Sequence, residues 1–85
     1  MEFLRSKDVT VKMKISRTTL YHLVQKGIIP KPIQLSNRMS IWICNEIESI
    51  MKAMVSGTNE ETLRSIASEL EKTRESYFSS LSLSR

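Results

Sequence analysis

Cysteine, histidine and tryptophan each occur once in these 85 residues, and glycine and proline only twice each. A lone Cys44 cannot close an intramolecular disulfide and has no second thiolate with which to hold a metal. His22 is the only imidazole, and nothing joins it to Cys44 and a third group, so nucleophilic catalysis has no candidate constellation. Glu60 and Glu61 are adjacent and face different directions, which excludes them as a paired acid and base. Gly27 and Gly57 are too few and too far apart for a phosphate-cradling loop. No metal or cofactor is therefore expected. Apolar runs never approach the ~18 residues of a membrane-spanning helix. Arg5, Lys7 and Asp8 break any stretch that could read as a signal peptide, so a cytoplasmic location is the expectation.

What remains has the composition of a small globular protein, with 40% hydrophobic and 26% charged residues in 9.8 kDa. A chain of this size buries only about 60% of its unfolded surface and is stable by about 4–13 kcal/mol, too little for an elaborate buried active site. The net charge of +4 is unevenly spread. Residues 1–44 hold eight Lys/Arg against Glu2 and Asp8, whereas residues 45–85 hold five against seven acids. The first half suits a polyanionic partner and the second does not.

Along the chain the first segment carries two signals. Val9, Val11, Met13 and Ile15 alternate as a strand would, but Ser6 stands at an N-cap position and Asp8 in a first turn, predicting a helix over about 7–14. Ser16 then caps a helix over about 17–26, with Leu20, Leu23 and Val24 inward and Gly27 supplying the left-handed residue that ends it. Two helices joined by one or two residues describe a helix-turn-helix. Pro30 and Pro32 impose extended chain, and Ile33–Leu35 with Met39–Ile43 form a hairpin whose tip is Ser36-Asn37-Arg38, Asn37 being suited to positive φ. Asn45 with Glu48 reads as the capping box of a third helix, striped by Ile47, Ile50, Met51, Met54 and Val55 and ended by Gly57. Thr58 with Glu61 repeats the signature for a fourth helix to roughly 76, followed by serine-rich residues 79–85 that are expected to fray.

The second helix turns Arg17, Thr18, Tyr21, His22 and Gln25 outward. Arg can fork onto guanine, Gln can pair with adenine, and Thr and His can reach a base edge or a phosphate. Lys26 at the helix end, Lys31 before the hairpin, and Asn37 and Arg38 at its tip are placed to meet a phosphate backbone or a minor groove. Short helix, turn, basic helix, basic-tipped hairpin and striped helix, in that order, describe a winged helix.

Lys7-Asp8-Val9, Ile15-Ser16-Arg17-Thr18-Thr19-Leu20-Tyr21, Gly27-x-Ile29-Pro30-Lys31-Pro32-Ile33-x-Leu35-Ser36-x-Arg38, Trp42 and Glu46-Ile47 together resemble the AlpA family. These are small phage and genomic-island regulators related to excisionases with a MerR-type winged helix, and the likeness covers about residues 3–55. It implies binding of double-stranded DNA, to activate transcription or to direct excision of a mobile element beside an integrase. By position it implies that Arg17, Thr18, Tyr21 and His22 face the major groove and Arg38 lies in the wing. In two places the chain departs from the family's usual residues: Lys14 stands where glycine is usual, and His22 where arginine is common.

The expected architecture is mainly α with a small β-hairpin: a winged helix-turn-helix over residues 1–56 and an additional C-terminal helix over 57–78. Leu63, Ile66, Leu70, Thr73 and Tyr77 form a seam on that helix. It is predicted either to fold back on Ile47, Met51 and Met54 or to pair as a weak homo-oligomer through residues 63–77, with folding back favoured by Thr73 in the seam. The rival function is a protein-interaction module, such as an antitoxin whose C-terminal helix sequesters a partner.

Overall fold

The computed structural model describes residues 1–83, with side chains through Tyr77. Strand β1 (Phe3–Leu4) precedes helices α1 (Ser6–Met13) and α2 (Arg17–Gln25). Strands β2 (Ile33–Ser36) and β3 (Met39–Ile43) form the hairpin, and helices α3 (Cys44–Val55) and α4 (Glu60–Leu83) complete the chain. The fold is a winged helix-turn-helix with an added C-terminal helix. Its sheet is antiparallel with β3 in the middle, pairing Leu4 with Trp42 on one side and Ile33 with Ile41 on the other.

Three helices end in the same way, through a left-handed residue that turns the chain back on itself. After α2 the Gly27 N–H donates to Val24 O and the Ile28 N–H to Leu23 O, both at 3.0 Å. After α3 the Gly57 N–H donates to Met54 O at 3.1 Å and the Thr58 N–H to Ala53 O at 3.2 Å. These crossed bonds satisfy carbonyls that a helix end would otherwise leave open. Gly27 and Gly57 reach φ of 81° and 80° without steric cost. After α1 the same position is Lys14, at φ 60°, with the Ile15 N–H on Thr10 O at 3.1 Å. A side chain with a Cβ is strained there.

Helix starts depart from the sequence reading in three places. The N-cap of α1 is Arg5, not Ser6, because the Asp8 carboxylate reaches back to accept from the Arg5 N–H at 2.9 Å. Helix α3 begins straight out of β3, with Ile43 as its N-cap and no side-chain cap. Its Cys44 N–H donates to Glu2 O at 2.8 Å, so a neighbouring chain segment replaces the box expected of Asn45 and Glu48. Helix α4 is capped by Asn59, whose Oδ1 accepts from the Thr62 N–H at 2.8 Å, because Thr58 is already committed to closing α3. Ser16 caps α2 as read, accepting from the Thr19 N–H at 3.1 Å. Asn37 does not take a positive φ; the turn is accommodated instead by a register shift between Gln34 and Ser36. Helix α4 also continues past residue 76 to Leu83, while the fraying expected of 79–85 concerns side chains and a terminus outside the described residues.

The core is one cluster in which Val9, Leu20, Ile29, Trp42, Ile47 and Ile50 are fully buried. Ile41, Trp42 and Ile43 are buried in succession, so both faces of β3 are covered. Leu63 and Ala67 bring α4 onto α3, where Ile66, Leu70, Met51 and Met54 pack around them. Val55 does not join this stripe and is 90% exposed. It follows Ile47 by eight residues, which rotates it about 80° off the stripe's axis.

Cys44 is buried, and burial pushes its thiol up from the ordinary range, with the Glu48 and Glu2 carboxylates adding to the effect. The native thiol is consequently a slow nucleophile whose labelling reports opening of the fold. Lys14→Gly is expected to raise unfolding stability by about 1 kcal/mol by removing the left-handed strain. Urea melting should show the gain, and thiol labelling of Cys44 should slow in parallel. Unchanged stability would mean that the strain at Lys14 is already relieved.

Candidate nucleic-acid interface

Helix α2 owes its orientation to Leu20, which is fully buried, and to Leu23 and Val24, which pack against the core. The opposite side of a 3.6-residue repeat must then face solvent. Arg17, Thr18, Tyr21, His22 and Gln25 line one shallow concavity on that side. Five of the nine residues singled out from sequence are thus brought together. Tyr21 is 38% exposed, and its ring meets the buried Trp42 ring edge to face, centroids 6.2 Å apart at 61°. The phenol therefore stands on a rigid support, with its ring held from below.

The other four lie elsewhere. Lys26 Nζ sits 3.3 Å from Glu60 Oε2 at the start of α4, so its charge is partly answered within the chain. Lys31 exposes its side chain while its backbone is bound by α4, the N–H donating to Glu71 Oε2 at 2.9 Å and the carbonyl accepting from Arg74 Nη2 at 2.8 Å. Asn37 and Arg38 form the exposed hairpin turn, where the Arg38 N–H approaches Ser36 Oγ at 3.4 Å. None of these four lines the α2 concavity.

Two features escaped the sequence reading. Ser6, Lys7 and Thr10 form a second hollow with Arg17, between the starts of α1 and α2. Two cations and the Ser6 hydroxyl there are suited to a phosphate, while the Thr10 hydroxyl donates to the Lys7 carbonyl at 2.7 Å. The signal that could have found them is Lys7 in the first turn of α1. The second is the pair of Glu46 and Arg74. Arg74 Nη2 donates to Glu46 Oε1 at 2.6 Å and Arg74 Nε to Glu46 Oε2 at 3.0 Å, a bidentate bond in which Glu46 is only 4% exposed. Its signal was positional: Leu63, Ala67, Leu70 and Arg74 share one side of α4, and a charge on a buried stripe calls for a partner.

Nearer solvent, Lys12 Nζ lies 3.0 Å from Glu48 Oε2. The hydrogen bond and opposite charge hold the Lys12 ammonium above its usual range and the Glu48 carboxyl below its own. Among the described residues no group of three or more His, Cys, Asp or Glu side chains could hold a metal ion, and no helix is long and apolar enough to cross a membrane.

A helix-turn-helix with its second helix laid open, followed by a two-stranded hairpin, is the arrangement of a winged helix-turn-helix. The chain belongs to the AlpA family: the family of the prophage CP4-57 regulatory protein (AlpA) matches residues 2–54. It is also similar to the uncharacterized protein ORF88 of Enterobacteria phage P4, 31% identical over 55 residues, which are 65% of this chain and 62% of that protein. The chain thus spans less than two thirds of the length of that relative. No solved structure matches it.

Arg17 and Arg38 occupy different settings, one in the concavity and one on the turn, and their losses should differ in kind. Arg17→Ala is expected to lose about 1–3 kcal/mol of discrimination between a selected duplex and a random one. Arg38→Ala should weaken both duplexes alike, as a phosphate contact does. Competition binding separates the two, and equal losses on both DNAs for Arg17→Ala would show that α2 reads no bases.

Proposed function

We infer that this protein binds double-stranded DNA with sequence preference and serves as a transcriptional activator or recombination directionality factor of a prophage or genomic island. The observation that carries the reading is the α2 concavity, where a guanidinium, an amide, an imidazole and two hydroxyl groups meet on the open side of the second helix. That is the donor and acceptor set needed at base edges. The positive balance of residues 1–44 supplies the sequence-independent attraction, and membership of a prophage regulatory family agrees with both. Arg17, Thr18, Tyr21, His22 and Gln25 read the major groove in this scheme, and Lys31, Asn37 and Arg38 follow the backbone or the adjacent minor groove. The protein performs no chemistry on the DNA. It positions or bends the duplex for a polymerase, or for an integrase bound alongside.

The rival reading, a protein-interaction module through α4, draws on a helix whose inner side packs on the chain's own core. Among the described residues, Leu63 and Ala67 are buried against the chain's own core, Ile66 and Leu70 are half-buried, and Tyr77 is 47% exposed.

With roughly five phosphates neutralised, the log–log dependence of affinity on salt should have a slope of about −4 to −5. Titration of a duplex selected by the protein from a random pool, at several salt concentrations, measures it. An affinity indifferent to salt would remove DNA as the partner. The same duplex placed upstream of a promoter, or in an integrase excision assay, then separates activation from directionality.

A further inference from the structure

Helix α4 begins at residue 60, beyond the segment 2–54 that the family shares, yet its side chains hold the loop that joins α2 to β2. That loop, Pro30-Lys31-Pro32, contains a single backbone donor, the Lys31 N–H, because proline has none. Glu71 Oε2 accepts from that donor at 2.9 Å. Three residues further along the same face of α4, Arg74 Nη2 donates to the Lys31 carbonyl at 2.8 Å. Arg74 is held in turn by its two bonds to Glu46. One residue back in the loop, the Pro30 carbonyl accepts from Trp42 Nε1 at 2.8 Å in the buried interior. The Trp42 ring then meets Tyr21, a member of the α2 concavity.

We propose that Glu71 and Arg74 are positioning residues for DNA recognition, acting through Lys31, Pro30 and Trp42 to set the place of Tyr21 and the exposed side of α2. The inference rests on the DNA-binding reading above and adds that residues outside the family segment govern specificity without touching DNA. A side chain that is 1 Å out of place at a base edge loses its hydrogen bond, whereas a phosphate contact tolerates the same shift. Loosening the grip therefore lowers specific binding and spares non-specific binding.

Two variants of the full chain test this. Glu71→Ala removes the acceptor for the Lys31 N–H. The double variant Glu46→Met with Arg74→Met removes the hold on the Lys31 carbonyl and leaves no buried charge unpaired. The probes are a duplex selected by the unmodified protein from a random pool and a scrambled duplex of equal length. Each variant is expected to melt cooperatively and to lose about tenfold on the selected duplex but about twofold or less on the scrambled one. The salt slope should stay unchanged, and the emission of Trp42, the only tryptophan, should shift. Selected-duplex affinity within about twofold of the unmodified protein would overturn the proposal, as would equal losses on both duplexes. Should the double variant not fold, Glu71→Ala decides alone. If the unmodified protein selects no duplex, the DNA reading itself fails, and the emission of Glu71→Ala judges the coupling: a shift keeps it and an unchanged spectrum ends it.

Discussion

A fully buried indole has one donor to satisfy, and the position of that bond governs how this small protein is assembled. Trp42 lies in the central strand, paired on both sides, and sends its N–H to the carbonyl of Pro30. An orphaned donor at that depth would cost about 1–3 kcal/mol, a large share of what a domain of this size possesses. The bond fixes the exit of the chain from α2 against the sheet, and the same ring supports Tyr21 from beneath. Helix, loop and wing are thus referred to one side chain.

The second constraint is electrostatic. Glu46 in the first turn of α3 is buried, and a carboxylate there needs a cation with several donors. Arg74 supplies a two-pronged bond to the carboxylate and a further donor for the Lys31 carbonyl. Breaking such a pair from one side costs about 3–5 kcal/mol, more than a small apolar contact returns. Helix α4 therefore adds buried apolar area through Leu63 and Ala67 and neutralises a charge that α3 could not carry alone.

Features with local causes were legible in the sequence. Ser16 and Gly27 bracket α2 because a cap and a left-handed turn need only the residues beside them. The outward set of α2 followed from the inward set of Leu20, Leu23 and Val24. What escaped has distant causes. Strand β1 is two residues long, and nothing in Phe3-Leu4 announces Trp42 and Ile43 as its partners. Asn45 looked like a cap until the Glu2 carbonyl took up the Cys44 N–H. Thr58 and Asn59 are both sound caps, and the choice between them depends on how α3 ends. At the candidate interface the five residues on one helix face were visible together. Lys7 and Thr10 were not, because their meeting with Arg17 depends on the angle between two helices.

The pairing of β1 has a kinetic consequence. Its strand and the Glu2 carbonyl bond to residues some forty positions away, around Ile43 and Cys44. Helices α1 and α2 and the hairpin can each form from neighbours in the chain, within microseconds. The segment that leads the chain must instead wait until the hairpin exists, because loop closure has to precede any reward from so distant a partner. A protein that is mostly helix by content should therefore fold at the slower pace of mixed α/β domains.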